Sequence, residues 1–285
     1  MVATQSEVRR DRDPSIADLL RSQRLYKSLS LVLAHIAGIK IPASLLLLAA
    51  RPDSIGRFAD EWHYPLMIRV DYRTLPKAKP IGGIPLQDFD TACRVSEGVI
   101  KGGCLPLFHP HLDRFKDMFN CGVLFTNGSN LAEVEVVGKG FDAADLRLGK
   151  AIPHETFRLD LAAGTISSRA FISDDAYERG RAARAAWVLR LKAYTRLVNQ
   201  SANLLQDLEL LDPEPITVSD AQEEIPVHYE RMPDDVLRQL AAIAQIIRQV
   251  VLQGLPPSKI YVASLSYLRS EGWVLWDVYG DWYRR

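Results

Sequence analysis

The chain has 285 residues, 47% apolar and 25% charged, enough for a sizeable core in one large domain or two smaller ones. Thirty-five basic and 35 acidic side chains cancel, so no global field directs the chain to nucleic acid or a membrane surface. Cys93, Cys104 and Cys121 lack metal-binding spacing and read as buried thiols in a reduced compartment. The segment 29–50 is broken by His35, Lys40 and Pro42, short of the roughly 20 uninterrupted apolar residues of a membrane span. The stretch 7–13 is mostly charged where a signal peptide would be apolar, and the expected location is the cytoplasm.

In chain order, residues 1–14 are charged and loose. Ser15 can cap a helix over 15–37, with Ile16, Leu19, Leu20, Leu29, Leu33 and Ile36 along it and Gly38 ending it. A short extended piece at 39–42 follows, then 43–50 as strand or helix and 55–62 as a short helix. Residues 64–70 read as a strand carrying one cation, Arg69. After it come Arg73, Lys77, Lys79, Gly82 and Gly83, where bare backbone N–H groups beside cations suit phosphate; the alternative is a mobile surface loop. A helix over 87–101 ends at Gly102-Gly103 and leads to strands at 104–108 and 120–126.

Asn127-Gly128 marks a hairpin into a strand at 131–137, and Ala162-Ala163-Gly164 a second hairpin between 157–161 and 165–171. Gly138-Lys139-Gly140 breaks the ladder between them, and 141–149 is a short helix or turn. The segment 174–211 reads as one long helix rich in Arg and Ala, and the proline- and acid-rich 211–226 as a linker or ordered loop. An amphipathic helix over 233–252 repeats Val236, Leu237, Leu240, Ile243, Ile247 and Val250 at three and four. Last comes a hairpin, 260–268 and 273–280, whose second strand is apolar at nearly every position and so buried on both faces. Hairpin strands mixed with helices predict an α+β fold rather than a doubly wound parallel sheet. The expected divisions are a helical extension at 1–30, a first lobe at 31–103 and a second at 104–285.

Asp277, in the middle of that buried strand, is the most informative acid, because a buried carboxylate requires a cationic side chain or a metal ion. Glu133 and Glu135 share one face of their strand and could join Asp277 around a hard cation such as Mg²⁺, or simply face solvent. His109-Pro110-His111 reads as a loop that positions neighbours in preference to a metal pair. The arginines of 178–196 spread around their helix, which favours a solvated face over a nucleic-acid surface. There is no P-loop, dinucleotide fingerprint, zinc pattern or Gly-x-Ser-x-Gly elbow.

The succession resembles a diverged branch of the ATP-grasp superfamily. The resemblance is carried by Gly-Ile-x-Ile-Pro at 38–42, Tyr-Pro-Leu-Met-Ile-Arg at 64–69, the glycine loop at 79–84, Pro-Leu-Phe-His-Pro at 106–110, Ala-Glu-Val-Glu-Val-Val-Gly at 132–138 and the terminal hairpin with its acid. It implies that Arg69 touches the phosphates of ATP, that Gly82 and Gly83 cover them, and that Leu107, Phe108 and His109 lie by the adenine. It also implies that Asp277 holds Mg²⁺ and that Arg73, with Lys77 or Lys79, adds charge for carboxylate activation. The chain departs from the family in reading Asp277-Val278-Tyr279 where Glu-x-Asn is usual, and Ser264 and Ser266 where an Asp often stands. The domain that usually precedes this part is also not found ahead of residue 38. The implied protein is an ATP- and Mg²⁺-dependent ligase or phosphoryl-transfer enzyme with a carboxylate substrate and a protein partner or second copy of itself. The alternative is a catalytically silent interaction subunit, which the aromatic terminus of Trp273, Trp276, Tyr279, Trp282 and Tyr283 would suit unless it is core.

Overall fold

A computed structural model describes residues 14–72, 84–111, 118–137, 153–171 and 231–280. These fall into two compact units: the first holds the described parts of 14–28 and 42–111, the second those of 29–41 and 118–280. Each is built on an antiparallel sheet with helices, so the chain is α+β. The expected boundary after residue 103 falls later, because the strand beginning at Cys104 pairs inside the first unit.

Helix α1 (Pro14–Ser22) is followed by α2 (Tyr26–Ile36), where a single helix is predicted. The break is a helix-ending turn with Arg24 at φ 58°, in which Leu25 N–H donates to Leu20 O at 2.9 Å and Arg24 N–H to Arg21 O at 3.1 Å. Such a turn usually wants glycine; here the burial of Leu25, 1% exposed, offsets the strain. The same two-bond pattern ends α2 at Gly38, as predicted, with Ile39 N–H on Ala34 O at 2.9 Å.

The sheet of the first unit runs β1-β4-β2-β3, from β1 (Leu45–Leu46), β2 (Leu66–Tyr72), β3 (Ile84–Leu86) and β4 (Cys104–Pro110). Helix α3 (Pro52–Trp62) precedes β2, and α4 (Phe89–Lys101) links β3 to β4. Asp88 caps α4, accepting from Thr91 N–H at 2.8 Å and Thr91 Oγ at 3.0 Å. Two corrections arise here. Only Leu45 and Leu46 of 43–50 form a strand, and His109-Pro110 belongs to β4 rather than to a loop. Pro110 is tolerated because it stands opposite Leu66 at the ladder's end, where no N–H is required of it.

The sheet of the second unit runs β10-β9-β5-β6-β7-β8. Its strands are β5 (Met118–Thr126), β6 (Leu131–Val137), β7 (Glu155–Asp160), β8 (Thr165–Phe171), β9 (Ile260–Leu268) and β10 (Gly272–Gly280). The turn glycines Gly128 and Gly164 stand at φ 80° and 67°, as hairpin turns of this length demand. Helix α5 (Asp234–Ile246) continues through a π-helical turn, Ile247–Val251, in place of a regular helix to 252. It presents buried Val236, Leu237 and Leu240, and Val236 O receives the Trp273 indole N–H at 3.0 Å.

Register gives this sheet two unlike faces. One carries Cys121, Val123, Phe125, Ala132, Val134, Phe157, Ala263, Leu265 and Trp273, all under 9% exposed. The other carries Asn120, Glu133, Glu135, Arg158, Ser264, Ser266 and Asp277. The three cysteines are free, and no helix among the described residues is long and apolar enough to cross a membrane.

Candidate functional site

The polar face of the second unit brings the telling residues into rows. Asp277 on β10 stands opposite Ser264 on β9, Ser264 opposite Gly122 on β5, and Gly122 opposite Glu135 on β6. Asp277 is 2% exposed, Ser264 7%, Ser266 3% and Asn120 4%. A buried apolar side chain is explained by packing; a buried row of polar ones is not. Beside Asp277, β10 bulges by one residue, Trp276, whose indole N–H donates to Ser266 Oγ at 2.7 Å. The Ser266 hydroxyl in turn donates to Asn120 Oδ1.

The three acids expected to share one cation do not meet. Asp277 and Glu135 lie in one row but three strand spacings apart, roughly 14 Å at about 4.8 Å per spacing. Glu133 sits one pleat further along, exposed, 3.4 Å from Arg158 on β7. Burial, and then the Glu133 carboxylate, raises the pKa of Glu135. Among the described residues no three His, Cys, Asp or Glu side chains converge as a metal site would require. One carboxylate opposite a serine hydroxyl suits a single Mg²⁺ ion that keeps water or phosphate in its other positions. Asp277 is therefore the metal candidate that the register supports, and Glu133 and Glu135 belong to a solvated strand face.

In the first unit, Arg69 lies half-buried on β2 opposite Leu107. Two residues on, and so on the same face, Asp71 is 1% exposed. Its Oδ2 accepts from Ser28 N–H at 2.7 Å and Ser28 Oγ at 2.6 Å, capping the first turn of α2 from a distant strand. Lys27 Nζ donates to Val70 O at 2.7 Å. Burial raises the pKa of Asp71, against the opposing pull of Lys27 and the Ser28 hydrogen bonds.

Leu107, Phe108 and His109, expected beside an adenine, are 1%, 0% and 0% exposed on a strand paired along both edges. His109 Nδ1 lies 3.0 Å from Ser44 Oγ and 3.2 Å from Ala43 O. The Ser44 hydroxyl already donates to Pro42 O at 2.8 Å, so both neighbours require Nδ1 to carry the proton. These three side chains pack within the sheet of the first unit. Arg73, Lys77, Lys79, Gly82 and Gly83 lie outside the described residues, as do the breaker at 138–140, the segments expected at 141–149 and 174–226, and Trp282 and Tyr283. Trp273 and Tyr279 are 4% and 7% exposed, so they are core.

Sequence reasoning missed a buried ion pair on the apolar face. Arg169 on β8 binds Glu155 Oε1, Asp234 Oδ1 at 2.9 Å and Met232 O at 2.8 Å, with its guanidinium 5.2 Å from the Phe157 ring centre. Met232 N–H donates to Glu155 Oε2 at 3.3 Å. The available signal was Arg169 at an inward position of a strand that otherwise alternates. The Asn120–Ser266–Trp276 chain had no signal short of the register.

No protein-family model matches the sequence, and no curated protein does. Among solved structures, the chain is similar to carboxyaminoimidazole ribonucleotide synthase of Aspergillus clavatus complexed with ATP (9% identity, TM-score 0.42, covering 89% of this chain and 44% of that one). It is similar to D-alanine–D-alanine ligase of Bacillus anthracis complexed with ATP (10% identity, TM-score 0.42, 89% and 55%). It is also similar to the ATP-grasp ligase PsnB complexed with a minimal precursor (11% identity, TM-score 0.38, 90% and 52%). The chain thus spans about half the length of these structures. With TM-scores below 0.5, the reading of the site rests on its own residues.

Proposed function

We propose that the chain is an ATP-grasp-like, ATP-binding protein of the ligase type, which activates a small-molecule carboxylate together with a partner protein or a second copy of itself. The observation that supports this best is the buried acid Asp277, set opposite Ser264 on the polar face of a sheet that ends in a hairpin. In this reading Arg69 neutralises nucleotide phosphates, with Arg73, Lys77, Lys79, Gly82 and Gly83 contributing from the loop that follows β2. Asp277, with Ser264 beside it, would hold Mg²⁺, which when bound offsets charge on the transferring phosphoryl group. The substrate carboxylate oxygen takes the γ-phosphoryl, ADP leaves, and an amine or thiol displaces phosphate from the acyl phosphate. The protein works in the cytoplasm.

A second reading, a catalytically silent nucleotide-binding or interaction subunit, is favoured by one specific observation. Ser264 and Ser266 stand on β9 where a second carboxylate would complete a metal pair, and Ser266 is engaged by Trp276 and Asn120. Calorimetric titration of ATP and Mg²⁺ into wild type and Arg69→Ala tests the proposal. Micromolar binding, about −8 kcal/mol, is well within range and should weaken at least about tenfold in the variant. Equal affinity in the two proteins would remove Arg69 from the site.

A further inference from the structure

In the first unit a buried lysine is held by backbone close to a buried acid. Val70 stands opposite Pro106, which has no N–H, so the Val70 carbonyl faces the other edge of β2, two residues past the last pair with β3, Ile68↔Ile84. Lys27 Nζ donates to it there at 2.7 Å. The ammonium group of this buried side chain thus lies by the residue that follows, Asp71. Ser28 N–H and Ser28 Oγ both donate to Asp71 Oδ2, and Asp71 Oδ1 has no hydrogen-bond partner among the described residues. Burial raises the pKa of Asp71, and the Lys27 ammonium is first among the groups that oppose the rise. Cys104 on β4 also feels Asp71 but brings no charge to offset it: burial, and then the Asp71 carboxyl, raises its thiol pKa.

Arg69 is two residues from Asp71 on the same face of β2, roughly 7 Å along the strand at about 3.4 Å per residue. An arginine side chain spans that distance, and a guanidinium fork fits a carboxylate as well as it fits a phosphate. Resting on the nucleotide-binding reading above, we infer that Lys27 is a positioning residue for Arg69: its charge offsets Asp71, so that the Arg69 guanidinium goes to the phosphate oxygens of a nucleotide instead of folding back onto its neighbour. The acid that caps α2 is thus a competitor for the phosphate-binding cation, and Lys27 suppresses the competition.

The test is calorimetric titration of ATP with Mg²⁺ into the full chain, for wild type, Lys27→Gln, Arg69→Ala, and Lys27→Gln combined with either Arg69→Ala or Asp71→Asn. Gln keeps an amide donor for Val70 O and removes the charge, and Asn keeps an oxygen for Ser28. Lys27→Gln should weaken ATP binding about threefold to tenfold. In the Arg69→Ala background the same change should have no further effect, and Asp71→Asn should return affinity to within about twofold of wild type. Packing lost at Lys27 would be neither undone by a change at Asp71 nor silent in the absence of Arg69. Unchanged affinity in Lys27→Gln, or a loss that Asp71→Asn does not restore, overturns the inference and leaves the nucleotide reading standing. A wild type that binds no ATP, or binds it no better than Arg69→Ala does, overturns both. If Lys27→Gln strands Asp71 and fails to fold, the combination with Asp71→Asn decides. Affinity there within about twofold of wild type supports the inference, and a larger loss overturns it.

Discussion

The two faces of the six-stranded sheet each bury one acid, and they treat it differently. Glu155, 0% exposed on the apolar face, has an arginine for a partner, and that arginine is shared with Asp234 and the Met232 carbonyl. Asp277, 2% exposed on the polar face, stands in a row with a serine and a glycine. A charge held by an opposite charge and backbone bonds is explained by the fold that it helps to close. We propose that the first carboxylate serves the fold and the second a ligand, and substitutions at the two positions separate these roles.

The largest effect should come from breaking the structural side. Arg169→Ala strips Glu155 of its partner inside the protein and should cost about 3–5 kcal/mol, read as a shift in the urea midpoint. A loss below about 1 kcal/mol would mean that the pair is no clamp. Next is His154, adjacent to Glu155 and 1% exposed, whose pKa burial lowers to about 4. Between about pH 6.5 and 4 the unfolded chain takes up a proton that the folded chain declines, so stability should fall as pH falls through that window. The fall is on the order of 3 kcal/mol, and His154→Gln should flatten it; a slope that survives in the variant belongs to another group. Asp88→Ala removes the cap of α4 and should cost about 1 kcal/mol, an exposed carboxylate whose role is wholly local. Smallest in stability is Asp277→Asn, expected to leave the melting temperature nearly unchanged, which would set it apart from Arg169→Ala.

Much of this was legible in the sequence because the signals are local. The alternation of 131–137 gave β6 to the residue, Asn127-Gly128 and Ala162-Ala163-Gly164 gave two hairpins, and Gly102-Gly103 gave the end of α4. What failed depended on tertiary burial. The break at Arg24 is held by Leu25 entering the core, which periodicity alone cannot see. The continuation of β4 through His109-Pro110 depends on its place opposite β2. The acidic cluster failed for a third reason. Glu133, Glu135 and Asp277 all face the same side, as the period of two predicts, but strand order is not written in any strand, and it inserts β9 and β5 between them. The same order brings Asn120, Ser266 and Trp276 together across 146 positions of sequence between the first two.

The most direct test of the central claim is to titrate ATP calorimetrically, with and without Mg²⁺, into wild type and Asp277→Asn while following the thermal unfolding of both. The account predicts Mg²⁺-dependent binding by wild type, loss of that dependence in Asp277→Asn, and similar melting temperatures. A variant that binds Mg²⁺-ATP as wild type does, or that loses several kcal/mol of stability, would make Asp277 a structural acid like Glu155 and contradict the assignment.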